Sequence, residues 1–176
     1  MPYTLIGGGV CAPKGFQAGA VHCGIRKNRT KKDLALIVSS TPCTAAAVYT
    51  QNKVKGAPIV VTKEHLENGT ARAILCNSGN ANTCNADGEF IAHAMCESAA
   101  NALHIREDDI IIASTGVIGQ PLPLDPIAKA MPALAASLRE NGSEDAAEAI
   151  MTTDTKLKQV AVKFLLDGKE CVIGGI

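Results

Sequence analysis

Between Glu89 and Leu103, apolar side chains recur at the spacing of one helix face: Phe90, Ala94, Met95, Ala99, Ala102 and Leu103 form the stripe. Asp87 is placed to cap that helix. A short apolar run lies on either side of it, Ala73 to Cys76 before and Ile110 to Ala113 after, each short enough to be a buried strand. Helices that alternate with strands in this way restrict the chain to a small set of layered architectures.

The remaining segments extend the same reading. Val21 to Ile25, Leu34 to Ser39, Ala45 to Thr50 and Ile59 to Thr62 are apolar and partly β-branched, and Gly, Pro, Asn or charged clusters separate them, so strands are expected. Gly56 and Pro58 oppose a helix between Lys53 and Pro58. Asn77 to Asn82 reads as a turn-forming segment. Asp125-Pro126 should open a second helix carrying Ile127, Met131, Leu134 and Leu138 on one face, with Pro132 kinking or breaking it and Gly142 ending it. Ser143 should cap a third helix through Met151. Gln159 to Leu166 and Glu170 to Ile173 flank Asp167-Gly168, a hairpin signal. The expected fold class is α+β or mixed α/β, with layered sheets and flanking helices.

Composition narrows the function classes. Only 3% of residues are aromatic and none is Trp, so Ala, Val, Ile and Leu must fill the core. Such side chains bury little area each, and a core built from them gains from a partner surface. Lys plus Arg and Asp plus Glu both total 17, and this neutral balance gives no support for nucleic-acid binding. The basic run from Arg26 to Lys32 lacks interleaved aromatics and reads as a solvated loop. Seven cysteines without a C-x-x-C pair, and no visible secretory leader, point to free thiols in the cytoplasm. No apolar run is long enough to span a bilayer.

Three segments can carry chemistry. In Ser114-Thr115-Gly116-Val117-Ile118-Gly119 a buried strand runs into a turn with two glycines. Backbone N–H groups fixed in such a turn, with the Thr115 hydroxyl beside them, suit a developing oxyanion. The competing reading is a plain strand-to-loop connection, the commoner outcome for such a composition. Thr152-Thr153-Asp154-Thr155 offers hydroxyls and a carboxylate to a polar amino-acid ligand, or is simply a helix end entering a strand. The Asn-rich loop either lines a polar site or caps its own backbone. No metal site is expected, because His22, His65, His93 and His104 lack the spacing with cysteine that a zinc site requires. Neither a G-x-S-x-G elbow nor any other convincing nucleophile is present.

Taken in order, six stretches resemble the bifunctional ornithine acetyltransferase/N-acetylglutamate synthase family: 13–16, 32–37, 52–58, 77–82, 113–119 and 145–155. The resemblance implies a single domain over 1–176, the α chain, with the fold of ornithine acetyltransferases and DmpA-type enzymes. It implies a precursor that cuts itself before a Thr, which becomes the N-terminal nucleophile of a separate β chain and uses its own amine as base. Acetyl would pass from N-acetylornithine to that Thr and then to glutamate, with acetyl-CoA an alternative donor in some members and no bound cofactor. The family's oxyanion hole falls on Thr115 and Gly116. Its substrate-binding threonine falls on Thr155, with Thr153 the second choice. The expected assembly is an α2β2 heterotetramer. The sequence stops after Gly174-Gly175-Ile176, ahead of the family's Lys-Gly-Ser-Gly stretch and cleavage Thr, so the polypeptide is expected to continue. The alternatives are a related self-processing aminopeptidase or esterase, and a non-catalytic amino-acid-binding module.

Overall fold

The computed structural model describes residues 2–176. Its strands are β1 (Tyr3–Ile6), β2 (Phe16–Val21), β3 (Leu34–Thr44), β4 (Thr70–Asn80), β5 (Ile110–Val117), β6 (Val160–Leu166) and β7 (Lys169–Gly175). Its helices are α1 (Ala57–His65), α2 (Gly88–Leu103), α3 (Leu124–Ala136) and α4 (Ser143–Ile150). They build a four-stranded sheet in the order β2-β3-β4-β5 and a three-stranded sheet in the order β1-β6-β7. The architecture is the mixed α/β, layered one expected.

Alternation along β3 explains the layers. Leu34 and Leu36 point into a core with Leu75, Met95, Ile112, Ile127, Met131 and Leu134, where α2 and α3 cover one face of the larger sheet. Ala35 and Ile37 point the other way, to a thinner layer made with Ala18, Ala20, Ala146 and Ala149 under α4. An alanine-rich contact lets α4 lie close to the sheet. β4 and β5 pair in parallel, joined by the α2 crossover, while β2-β3 and β3-β4 are antiparallel. The β6–β7 hairpin turns at Asp167 (φ 50°) and Gly168 (φ 76°), both left-handed as a two-residue turn of this kind demands.

Several local expectations are corrected. Ile59 to Thr62 lies inside α1 rather than in a strand. There Val61 is fully buried, and Thr62 and His65 turn to the edge of β5, so tertiary partners outweigh the weak helix propensity of β-branched residues. Pro58 sits in the first turn of α1, where its missing N–H costs nothing. Ala45 to Thr50 forms no strand, and the first strand of the larger sheet is Phe16–Val21 rather than Val21 to Ile25. Asn77 to Asn80 is strand, not turn. Phe90 is 69% exposed, and the buried face of α2 is Ile91, Ala92, Met95, Cys96, Ala99 and Ala100.

α3 runs unbroken through Pro132, which lies with Ala128 on the exposed side, where water can take the carbonyl that Pro132 leaves unbonded. That helix begins at Leu124, one residue before Asp125, and ends at Ala136 rather than Gly142. It ends there because Arg139 pairs with Ala18 of β2 through two backbone hydrogen bonds of 3.1 Å. Ser143 is the first residue of α4, not its cap. Its hydroxyl accepts the Val10 N–H at 3.0 Å and donates to Gln159 Oε1 at 3.0 Å.

Candidate functional site

The carboxyl ends of a parallel strand pair are where open α/β sheets present ligand sites. Here those ends are Ser78-Gly79-Asn80 on β4 and Thr115-Gly116-Val117 on β5, in register with one another. Thr115 and Gly116 therefore sit at the end of this parallel ladder, and β5 is the outermost strand of its sheet.

Being outermost leaves alternate N–H and C=O groups of β5 without a strand partner. α1 covers part of that row. The Thr62 hydroxyl donates to the Ile112 carbonyl at 2.8 Å and accepts the Ile112 N–H at 3.2 Å. His65 Nδ1 lies 2.7 Å from the Ile110 carbonyl. On the opposite side of β5, the Val117 carbonyl accepts the Ala81 N–H at 2.9 Å, so odd-numbered residues face β4. By the two-residue period of a strand, Gly116 shares the outer side with Ile110 and Ile112, beyond the last hydrogen bond that α1 supplies. Gly116 is exposed there, next to the half-buried Thr115.

Gly116 has φ +138°, and a Cβ on it would lie 2.4 Å from the Gly79 carbonyl carbon and 2.6 Å from the Asn80 nitrogen. Only glycine lets the two backbones come this close. Gly79 is covered in turn by Ile25 and Arg26, whose side-chain atoms would lie 3.1 and 3.0 Å from an added Cβ. That loop is held by the fully buried Asp33, whose carboxylate accepts the N–H groups of Cys23 at 2.6 Å, Gly24 at 3.3 Å and Arg26 at 2.9 Å.

The Asn-rich segment caps its own backbone. Asn77 Nδ2 donates to the Asn80 carbonyl at 2.9 Å while its Oδ1 accepts the Ser114 hydroxyl at 2.6 Å. Asn80 Nδ2 donates to the Gln120 and Pro121 carbonyls at 3.0 and 3.2 Å, which fixes the chain leaving β5. Asn82 Nδ2 holds the Gly88 carbonyl at 2.8 Å at the start of α2. These amides build the site without lining it.

Ser78 links the second predicted segment to the first. Its buried hydroxyl donates to the Ala149 carbonyl in the last turn of α4, so the chain that emerges as Thr152 to Thr155 starts from the same sheet end. Thr153 and Thr155 are both exposed. Asp154 is not free for a ligand's ammonium group, because Lys158 Nζ already binds its carboxylate and the Thr152 N–H donates to it at 3.2 Å. These contacts, the Lys158 hydrogen bond first, hold the Asp154 pKa below the ordinary carboxylate value.

Chemistry at this end is one-sided. Burial pushes the Cys76 thiol up to about 12, and burial together with the nearby Asp33 charge does the same to Cys23, so neither offers a thiolate. The Ser78 and Ser114 hydroxyls donate to a carbonyl and an amide, not to a base. Among the described residues this end holds candidate hydrogen-bond donors and ligand hydroxyls but no nucleophile–base pair. Sequence reasoning did not find Asp33, Thr62 or Ser78; Asp33 alone carried a signal, as a lone carboxylate heading an apolar run.

Fold and site together define a mixed α/β chain in which an exposed glycine ends one strand of a parallel pair. Residues 17–176 match the ArgJ family, and the chain belongs to that family. It is 46% identical over 172 residues to the arginine biosynthesis bifunctional protein ArgJ of Caldanaerobacter subterraneus subsp. tengcongensis, covering 97% of this chain and 42% of that protein. The crystal structure of the arginine biosynthesis bifunctional protein argJ from Bacillus halodurans matches with a TM-score of 0.91 at 37% identity, over 99% of this chain and 92% of that one. The ornithine acetyltransferase of Mycobacterium tuberculosis, solved in complex with ornithine, matches with a TM-score of 0.91 at 36% identity, over 99% of this chain and 93% of that one. The chain spans less than half the length of the curated relatives it matches. Among the described residues no helix is long and apolar enough to cross a membrane.

Proposed function

We propose that this chain is the anion-stabilising and substrate-holding part of a glutamate N-acetyltransferase that moves acetyl from N-acetylornithine to glutamate in arginine biosynthesis. The observation that carries this reading is the exposed Gly116 beside Thr115, where the cover of β5 by α1 gives out. The nucleophile is the N-terminal threonine of a β chain cut from the same precursor, and the working assembly is α2β2, in the cytoplasm. In the first half-reaction the threonine hydroxyl attacks the acetyl carbonyl. An ester C–O bond forms, the C–N bond to ornithine breaks, and the hydroxyl proton leaves with the ornithine amine. While the carbonyl oxygen carries negative charge, the Gly116 N–H and Thr115 hydroxyl stabilise it. Glutamate then takes the acetyl group through its amine. Thr155, with Thr153 as second choice, contacts the amino-acid substrate. No bound cofactor takes part, and acetyl-CoA is an alternative acetyl donor.

The test is glutamate-dependent ornithine release by the chain co-expressed with its β partner. Thr115→Ala should lower turnover by roughly 10²-fold or more, as loss of one oxyanion donor does. Unchanged turnover removes Thr115 from the mechanism. Acetate release with no need for glutamate would make the protein a hydrolase instead.

A further inference from the structure

At the opposite end of β5 from Thr115, three elements converge on an open cleft lined by Glu64, His65, His93, Arg106, Glu107 and Asp108. His65 is the last residue of α1, His93 lies in the second turn of α2, and Glu107 begins the short 3-10 helix that leads into β5. One ligand-type atom from each of His65, His93 and Glu107 falls within 4.8 Å of the others. Glu107 Oε1 lies 2.9 Å from His93 Nδ1 and 3.8 Å from His65 Nε2. Ligand atoms about 2.0–2.1 Å from a tetrahedral zinc ion stand about 3.3 Å apart, a separation these two distances bracket.

The outer hydrogen bond of the buried His65 is what distinguishes this cluster from a chance ion pair. His65 is buried, at 5% exposure, and its Nδ1 faces the Ile110 carbonyl at 2.7 Å. A carbonyl only accepts, so Nδ1 carries the proton and the lone pair is on Nε2, the nitrogen that faces the cluster. His93 is set the other way round. Its Nδ1 is hydrogen-bonded to Glu107 Oε1 at 2.9 Å, the contact a shared ion would replace, while its Nε2 lies 3.5 Å from the Glu64 carboxylate on the outer side. A histidine that binds a metal ion through one nitrogen is oriented in this manner by a carbonyl or carboxylate on the other. The Ile110 carbonyl plays this part for the buried His65, and Glu64 stands near enough to His93 to play it there.

We propose that His65 Nε2, His93 Nδ1 and a Glu107 oxygen bind a divalent transition-metal ion, zinc by preference, with solvent water in the fourth position. Two imidazoles and one carboxylate suit a borderline ion such as zinc better than calcium or magnesium, which take oxygen ligands. The ion ties the end of α1 to α2 and to the entry of β5. It thereby braces the helix whose Thr62 and His65 cover the outer edge of the strand that ends in Thr115-Gly116. The ligands come from positions 65, 93 and 107, far apart in sequence, so no short spacing motif announces them.

The experiment loads the purified, chelator-treated native protein with Co2+ and then displaces it with Zn2+. The expected result is saturation at one ion per chain, visible ligand-field bands of a four- or five-coordinate site, and a Tm that rises with zinc concentration. His93→Ala and the isosteric Glu107→Gln, both at partly exposed positions, should abolish stoichiometric binding while their metal-free melting matches that of the parent. Glu64→Gln should weaken affinity by roughly 10–100-fold, as loss of an orienting carboxylate does. No saturable binding would overturn the proposal. So would binding undiminished in both variants, or a near-ultraviolet thiolate-to-cobalt band, which would assign the ion to cysteine.

Discussion

Replacing Gly116 by alanine puts the geometry of the strand ends to a quantitative test. The added Cβ would lie 2.4 Å from the Gly79 carbonyl carbon, 2.6 Å from the Asn80 nitrogen and 2.7 Å from the Gly79 oxygen. All three are backbone atoms of β4, so no rotamer change relieves the clash and the two strands must part. A side chain at φ +138° adds backbone strain of about 1–3 kcal/mol, and forcing a carbon into a closed space adds about 1–3 kcal/mol more, a total near 4 kcal/mol. For a chain of this size each kcal/mol moves the Tm by about 2–4 °C, so Gly116→Ala should melt about 12 °C lower. Gly119 is the matched control. It too has positive φ, +74°, but nothing lies within 4 Å of where its Cβ would stand, and only the backbone cost of about 1–2 kcal/mol, or about 4 °C, applies. Melting both variants by circular dichroism under the same conditions isolates the close approach from the conformational cost. Equal Tm values for the two would refute the claim that the β4 backbone presses on Gly116. The same separation of strands displaces the Gly116 N–H, and on the proposed oxyanion role of that group a shift of about 1 Å should cost roughly 10²-fold in turnover.

Two further outcomes follow from contacts that support the site. Thr62→Val keeps the shape but leaves both backbone groups of Ile112 unpaired in a buried place, so urea denaturation should show a loss of about 2–4 kcal/mol, while Thr62→Ser should stay close to the parent. Asp145 of α4 is pushed up by partial burial, but hydrogen bonds and charge from Lys32 and Arg139 outweigh this and set its pKa below the ordinary value. A carboxyl lowered in the folded state adds stability above its unfolded pKa of about 3.9 and loses it as pH falls through the folded value. Urea midpoints should therefore hold down to about pH 4 and fall below it, and Asp145→Asn should flatten that acid limb.

The helix at Glu89 and the Asp167-Gly168 hairpin were legible because their signals are local: a 3.6-residue apolar period and a turn whose residues tolerate positive φ. The Ser114–Gly119 segment was legible only in part: a turn was expected from Ser114, but β5 continues to Val117 and the chain bends only at Ile118 to Gln120. Its neighbours misled. Ile59 to Thr62 has the composition of a strand, yet it is helical because Thr62 and His65 meet β5 across separations of 50 and 45 residues. Asn77 to Asn80 has the composition of a turn, yet it is strand, because Asn77 and Asn80 find carbonyl and hydroxyl partners inside the fold. Phe90 completed a stripe by spacing but stands in solvent on the wrong side of α2.

By itself, then, the sequence determined the layered α/β class and, through an ordered set of short stretches, the family. Only the tertiary structure decided that β4 and β5 run parallel and end together. It also decided that α1 covers the outer edge of β5 up to Ile112 and stops short of Gly116, and that His65, His93 and Glu107 meet. Backbone hydrogen bonding explains the division. Turn and helix preferences are settled within a few residues, whereas the partner that satisfies an outermost strand comes from elsewhere in the chain, and no local pattern records which segment supplies it.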